Sequence, residues 1–255
     1  TPVGGEIVVN TTTSGQQDNA DVAVLNSGLI VVTYENGNDV FARVFNPDGS
    51  ESVAEFEVGR TSDAGSQPAI SATADGGFVI VWEDSTGRDG AGRGIVAQHY
   101  DASGAAVGDS FVVNDNITGT QGEPDVIGLS DGRFVITWRE FFGGTDGSGD
   151  STLAQVYAAT GERLDAPFVV NTTTLSTQFS PELAALPDGN FVAVYGSVTS
   201  GTSGDGSGNG VFQQVYGDPA DFAPLAAPIV QGVPDSVTFL ESDVNAGFQR
   251  LDSDK

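Results

Sequence analysis

The chain has 255 residues, of which 35 are acidic and 9 are basic, and its formal net charge is −26. This charge argues against a partner such as nucleic acid or an anionic membrane surface, because both require basic patches. The absence of Cys excludes disulfides and thiolate metal sites. No run approaches the roughly 18 apolar residues of a membrane-spanning helix, so we expect no insertion into a membrane.

Four copies of one pattern follow each other along the chain. Each copy has a first strand rich in small residues, a turn, an apolar second strand that ends in an aromatic residue, and signals for two further strands. The closing aromatic residues are Tyr34, Trp82, Trp138 and Tyr195. Three of the four turns contain Asp-Gly, a strong hairpin signal because Gly readily adopts positive φ. Repeats of about 50 residues with four strands each predict a β-propeller.

The predicted fold is all-β, a propeller of four four-stranded antiparallel blades. We expect it to span residues 1–231, with residues 232–255 forming an extension that starts a following module. The blades are expected at about 19–59, 67–114, 122–171 and 179–231. Residues 6–10 match the fourth-strand pattern without a unit before them, so we expect this strand to close the ring, with residues 228–231 as a competitor. An open array, or half of a larger ring formed by two chains, is the alternative.

Three carboxylates share one position in the predicted first strands, 13 residues before the closing aromatic residue: Asp21, Asp125 and Glu182. If the first strands surround an axis, these side chains converge at one mouth of a channel, where like charges repel unless a cation lies between them. Oxygen ligands favour Ca²⁺, or Mg²⁺ with bound waters. The alternative is that the three carboxylates accept hydrogen bonds from backbone N–H groups.

The loop between the second and third strands is a second candidate for calcium binding. Its Gly residues would let the backbone wrap around an ion, and its polar side chains would supply oxygens. The candidate ligands are Asp84, Asp89, Asp146, Asp150 and Asp205. None of these loops has the spacing of an EF-hand, and solvated loops without an ion are the alternative.

Part of the pattern resembles a known repeat type. The residues that carry the resemblance are Val113-Asn114, Gln121, Pro124, Asp131–Phe134 and Trp138, with Val96–Gln98 and Tyr100–Ala102 in the preceding unit. They resemble repeats of large RTX-type and cadherin-like bacterial surface proteins that are exported by type I secretion. A four-bladed hemopexin-like propeller, with ions in its tunnel, is similar in architecture. The resemblance implies an extracellular, calcium-rich setting at the bacterial cell surface and a non-catalytic role.

The primary hypothesis is a non-catalytic, calcium-stabilised propeller module of a secreted surface or adhesion protein, with a glycan or a cell-surface protein as partner. The first alternative is a carbohydrate-binding lectin. Its sugar-contacting residues would be Trp82, Trp138 and Tyr195. The second alternative is a polysaccharide-acting enzyme, in which Glu83 and Glu140 could form an acid/base pair. Ordinary surface positions explain this pair equally well, so we expect no enzyme activity.

Overall fold

The described part of the chain is built from β-strands. The computed structural model describes residues 4–59, 65–90, 92–115, 119–142, 145–172, 174, 176–198, 208–217 and 229–231. The candidate ligand Asp205 and the predicted C-terminal extension, residues 232–255, lie outside these ranges. The described residues include no helix with the length and apolar character needed to cross a bilayer.

The strands form four antiparallel sheets of four strands each. Sheet 1 contains β1 (Gln17–Val24), β2 (Ile30–Asn36), β3 (Asp39–Phe45) and β4 (Glu51–Glu57). Sheet 2 contains β5 (Gly65–Ala72), β6 (Phe78–Asp84), β7 (Gly94–Tyr100) and β8 (Ala106–Val112). Sheet 3 contains β9 (Thr120–Gly128), β10 (Phe134–Phe141), β11 (Ser151–Tyr157) and β12 (Arg163–Val169). Sheet 4 contains β13 (Gln178–Ala185), β14 (Phe191–Val198), β15 (Asn209–Tyr216) and β16 (Ile229–Gln231). The all-β prediction and the four-stranded antiparallel units are confirmed.

The first hairpin of each sheet closes through the same glycine-containing turn. In sheet 1, Leu25 N donates to Leu29 O and Gly28 N donates to Leu25 O, both at 2.8 Å. The corresponding glycines have φ between 84° and 95°: Gly28, Gly76, Gly132 and Gly189. Because side chains disfavour this region, Gly is required at the position, which explains why the signal recurs in every unit.

The hydrophobic core lies between consecutive sheets. Strand β6 shows the arrangement, because Ile80 and Trp82 pack with sheet 1 whereas Val79 and Val81 pack with sheet 3. The same strand is therefore buried on both faces, and its sequence is a continuous apolar run rather than an alternating one. Consecutive first strands also contact each other, β1 with β5, β5 with β9 and β9 with β13.

The closing aromatic residues belong to this core. Trp82, Trp138 and Tyr195 are each 1 % exposed, and each lies in the hydrophobic cluster between its own sheet and the preceding one. None of the three presents a ring face at the surface. These three residues therefore cannot contact a sugar at the surface as the lectin hypothesis requires, because each lies in the core between two sheets.

The N-terminal segment differs from its prediction. Residues 6–10 form no strand, and β16, the competitor named from sequence, pairs with β15 as the fourth strand of sheet 4. The segment instead lies against sheet 1, where Arg43 Nη1 donates to Val9 O at 2.6 Å. Arg163 of sheet 3 binds the Val113 carbonyl, at the end of β8, in the same way at 2.5 Å. The strand-like sequence of residues 6–10 thus serves docking against a neighbouring sheet rather than pairing.

Candidate functional site

One end of the first strands encloses a cavity of about 420 Å³, which we call the axial cavity. All four sheets contribute the same three positions of their first strands. The lining residues are 19–21, 67–69, 123–125 and 180–182. The cavity therefore brings together the three carboxylates that the sequence places at one equivalent position, Asp21, Asp125 and Glu182.

A β-bulge in every first strand forms the wall of the axial cavity. The pairing register of each first strand shifts at this point. The first bulged residues have φ between 47° and 52° although none is Gly: Asn19, Gln67, Glu123 and Ser180. Each such conformation costs on the order of 1–3 kcal/mol and persists only where its surroundings hold it. Bulges redirect side chains and are frequent beside active sites, so four of them at one cavity mark it as a functional-site candidate.

Carboxylates of the preceding sheet hold three of these four bulges in place. Glu35 Oε2 accepts a hydrogen bond from Gln67 N at 3.1 Å. Glu83 Oε1 accepts one from Glu123 N at 3.0 Å, and Glu123 Oε2 accepts one from Ser180 N at 2.6 Å. Each strained N–H group is thereby satisfied across a sheet boundary, which fixes the sheets relative to one another at the rim of the cavity.

Asp21 and Asp125 make equivalent pairs of hydrogen bonds. Through Oδ1 each accepts the N–H of the residue that follows it, at 2.7 Å for Asp21 and 2.8 Å for Asp125. Through Oδ2 each accepts an N–H from the next sheet, Ile70 N at 2.9 Å and Leu183 N at 2.6 Å. Hydrogen bonding to backbone N–H groups, the alternative to metal binding, is thus what the structure contains at these two residues.

The axial cavity also perturbs its carboxyl groups. Burial raises the pKa of Asp125 to about 7 against the opposing effect of its two backbone N–H bonds, and the charges of Glu182 and Asp21 raise it further. Partial desolvation at the cavity wall and the charge of Asp21 likewise raise the pKa of Glu182. Glu182 is exposed, and within the described residues no hydrogen bond to its side chain is found. The cavity therefore combines a carboxyl group that holds its proton near neutral pH with further carboxylates.

The predicted calcium ligands of the loops are engaged in hydrogen bonds within the protein. Asp89 Oδ2 accepts a hydrogen bond from Asn114 Nδ2 at 3.2 Å, and Asp146 Oδ2 accepts one from Asn171 Nδ2 at 2.5 Å. Both Asn residues end the Val-Asn motif, and their Oδ1 atoms accept the backbone N–H of Ile95 and of Thr152, at the beginning of the third strands β7 and β11. The repeated motif therefore fastens each loop to its own sheet.

The other two described loop residues have similar structural roles. Asp84 Oδ1 accepts a hydrogen bond from Thr86 N at 3.0 Å, and Asp150 pairs with Arg139. In the described ranges, no group of three or more Asp, Glu or His side chains is arranged to hold a metal ion. The described residues therefore do not support the interpretation as a calcium-binding module. A Ca²⁺ or Mg²⁺ cofactor of the protein stays a prediction.

The acid/base pair named from sequence is also in the wrong place for catalysis. Glu83 is 1 % exposed and Glu140 is fully buried. Glu83 pairs with Arg93 at 2.6 Å, and Glu140 accepts a hydrogen bond from the Thr145 hydroxyl. Both side chains stabilise loops and bulges, and neither is among the residues that line the axial cavity.

Sequence reasoning missed Arg139 at the rim of the axial cavity. Sheets 1 and 2 have Glu35 and Glu83 directly after the closing aromatic residue, and these carboxylates hold the next bulge. Sheet 3 has Arg139 there instead, and its Nη1 donates to Glu123 Oε1 at 2.7 Å, which orients Glu123 toward sheet 4. The reversal of charge at this repeated position is the signal that could have identified it.

The described sheets are similar in fold to the β-propellers of glycoside hydrolases. One such structure is the α-L-arabinofuranosidase of Fusarium graminearum in complex with an iminosugar inhibitor, with a TM-score of 0.55, 13 % identity and coverage of 80 % of this chain. Another is the α-L-arabinanase of Penicillium chrysogenum in complex with arabinobiose, with a TM-score of 0.53, 14 % identity and coverage of 84 %. The endo-1,4-β-xylanase of Bacteroides thetaiotaomicron has a TM-score of 0.51, 10 % identity and coverage of 83 %.

This chain corresponds to only part of these proteins. It matches 63 % of the arabinofuranosidase, 67 % of the arabinanase and 76 % of the xylanase. At 10–14 % identity the similarity concerns the fold alone. The sequence matches no protein-family model and no curated protein.

These similarities correct the expectations that rested on the earlier resemblance. The structures of similar fold named above are glycoside hydrolases rather than RTX-type, cadherin-like or hemopexin-like proteins. The expectations of a non-catalytic adhesion module and of no enzyme activity depended on that resemblance, and the structures of similar fold, arabinofuranosidases and an arabinanase, do not support them.

Proposed function

We propose that this protein is a polysaccharide-acting enzyme that hydrolyses glycosidic bonds at the axial cavity. The observation that carries the proposal is the carboxyl group of Asp125, with a pKa of about 7, in a cavity that it shares with Asp21 and Glu182. Glycosidic hydrolysis requires one carboxylic acid that protonates the leaving oxygen and one carboxylate that acts as nucleophile or activates water. An Asp that stays protonated in mildly acidic solution meets the first requirement.

The three carboxylates receive different roles from their surroundings. Asp125 is the proton donor, because burial and its charged neighbours favour the protonated form. Asp21 takes the second role, as nucleophile or as the group that activates water, and backbone N–H groups that donate to both its oxygens hold it in place. Glu182 is the third carboxyl group and binds hydroxyl groups of the substrate. Its side chain is exposed, and partial desolvation at the cavity wall together with the charge of Asp21 raises its pKa.

Arabinan and xylan are the substrates to test first. The structures of similar fold are an arabinofuranosidase, an arabinanase with bound arabinobiose and a xylanase. The volume of the axial cavity, about 420 Å³, lies in the usual range of small-molecule sites. Its carboxylates and amides match the hydroxyl groups of a sugar, which supports a glycan as the partner.

The finer architecture and the location belong to the same proposal. The four sheets would be four blades of one propeller, with β16 completing sheet 4 and residues 6–10 docked on sheet 1. An enzyme that degrades such polysaccharides meets them outside the cell. An extracellular location is therefore part of the proposal.

Reducing-end release from arabinan, xylan and their oligosaccharides by the full chain tests the proposed function. We expect hydrolysis of at least one substrate by the wild type and a loss in kcat/KM of about 10²-fold or more for Asp125→Asn and for Asp21→Asn, as for other acid and base residues. Asp109→Asn, at an exposed position of β8, is the control and should retain activity. A wild type that hydrolyses none of these saccharides, or an Asp125→Asn variant with full activity, would disprove the proposal.

A further inference from the structure

Phe142 follows β10 and is 91 % exposed, the highest value among the large hydrophobic side chains that the structure describes. Its φ is 55°, a conformation that aromatic residues rarely adopt. Exposure of the ring and the backbone strain both oppose folding. The surrounding structure must therefore hold Phe142 in place.

A buried carboxylate holds the Phe142 backbone. Phe142 N donates to Asp150 Oδ1 at 2.8 Å, and Asp150 is only 4 % exposed. The second oxygen of Asp150 accepts a hydrogen bond from Arg139 Nε at 3.0 Å. The backbone carbonyl of Asp150 accepts one from Gln178 N of sheet 4 at 3.2 Å. The strained residue is thus anchored to two sheets at once.

The same network reaches the axial cavity. Arg139 binds Asp150 on one side and Glu123 on the other, and Glu123 lines the cavity. The Arg139 guanidinium also lies 4.2 Å from the centroid of the Phe141 ring. Phe142, Asp150, Arg139 and Glu123 therefore form one continuous arrangement from the exposed ring to the cavity wall.

The position of Phe142 along the strand sets the length of a ligand that could contact both the Phe142 ring and Asp125 in the axial cavity. Asp125 pairs with Thr137 in the β9–β10 ladder, and Phe142 lies five residues beyond Thr137. At about 3.4 Å per residue, the two levels are roughly 17 Å apart along the strand direction. A single sugar is too short to span this distance, whereas an oligosaccharide can do so.

We propose that Phe142 is an aromatic platform on which a sugar ring of the polysaccharide stacks while another unit of the same chain occupies the axial cavity. The inference rests on the proposed function and names the part of the substrate that lies outside the cavity. A sugar ring has an apolar C–H face that packs on an aromatic ring while its hydroxyl groups stay in water. Such a contact favours binding most when the ring is exposed and held in one place before the ligand arrives, as the Asp150 anchor achieves.

The test compares Phe142→Ala with the wild type on substrates of different length. For an arabinan or xylan hexasaccharide we expect KM to rise about five- to tenfold, the effect of losing one aromatic stacking contact, with kcat unchanged. For a chromogenic monosaccharide substrate we expect no change in either constant. Phe142→Tyr should behave as wild type, and Val107→Ala, at an exposed position of β8, is the control for loss of an exposed apolar side chain.

Two further measurements separate the possible failures. Phe142→Gly also removes the ring but tolerates positive φ, so an equal effect of both variants with unchanged melting temperature excludes misfolding as the cause. Calorimetric titration of the hexasaccharide into Asp125→Asn, with and without Phe142→Ala, reports binding without hydrolysis. If the wild type hydrolyses none of the saccharides, but the hexasaccharide binds and Phe142→Ala weakens this binding, the proposed function fails and the platform stands. Equal effects on short and long substrates, or binding that is absent or independent of Phe142, overturn the platform.

Discussion

Asp125 and Asp21 occupy the same position of two repeats and accept the same two kinds of backbone hydrogen bond. The proton affinity of Asp125 depends on its surroundings, since burial raises its pKa to about 7 and the charges of Glu182 and Asp21 act in the same direction. These surroundings arise only when four separated repeats meet. The position of the carboxylates could be predicted from the repeat spacing, but the role of each one could not.

The raised pKa of Asp125 predicts a stability that falls as pH rises. The folded protein holds this proton more tightly than the unfolded chain, whose pKa is near 3.8, so the stabilising contribution is complete below about pH 4 and is lost as pH passes through about 7. Asp125→Asn stays neutral. Between about pH 5 and pH 8 we therefore expect the free energy of unfolding of the wild type to fall by about 2–4 kcal/mol relative to that of Asp125→Asn.

Urea denaturation of both proteins across this range measures the difference. Asp109→Asn, whose side chain is exposed, should follow the wild type at every pH and serves as the control. A constant difference between Asp125→Asn and the wild type would show that the Asp125 carboxyl is not perturbed.

In β1, β5 and β9, a side chain of the strand accepts a hydrogen bond from a backbone N–H of the next first strand. Asp21 and Asp125 accept it at two boundaries through their carboxylates. Sheet 2 has Ala69 at this position, and the Ser71 hydroxyl instead accepts a hydrogen bond from Gly128 N at 2.9 Å. Because alternate residues of a strand face the same side, Ser71 can replace the missing carboxylate two residues later.

This close approach predicts that Gly128 does not tolerate a side chain. A Cβ atom at Gly128 would lie 2.1 Å from the Ala72 carbonyl oxygen, so the backbones of β5 and β9 would have to separate. We expect Gly128→Ala to lower the free energy of unfolding by about 1–3 kcal/mol, the range of overpacking substitutions. Gly5→Ala, where no atom lies within 4 Å, is the matched control in the same denaturation experiment. Equal stability of the two variants would contradict the close packing of the first strands.

The strands and hairpins could be predicted because their signals are local. Turn glycines such as Gly76 and the apolar run of β6 specify a hairpin within a few residues. The bulges could not be predicted in the same way, because Gln67 and Glu123 are not residues that favour positive φ. Their conformation depends on carboxylates of a different sheet, and such contacts are not visible in one repeat.

At the scale of the whole molecule, the boundary between sheet 4 and sheet 1 differs from the others. In the described residues, β13 and β1 lack the extensive contact that joins the other consecutive first strands. Glu182 is the carboxyl group of sheet 4 at this boundary. Its side chain is exposed, whereas Asp21 and Asp125 accept hydrogen bonds from the next sheet. The incomplete boundary thus leaves one carboxyl group of the axial cavity exposed.

The pH dependence of kcat/KM for arabinan or xylan hydrolysis identifies the proton donor, because this profile reports the essential acid of the free enzyme. With Asp125 as the proton donor, the wild-type profile should fall above about pH 7. Asp125→Asn should have a much lower rate and should lack this alkaline decline, while Asp109→Asn should keep the wild-type profile. An alkaline decline that persists unchanged in Asp125→Asn would contradict the account.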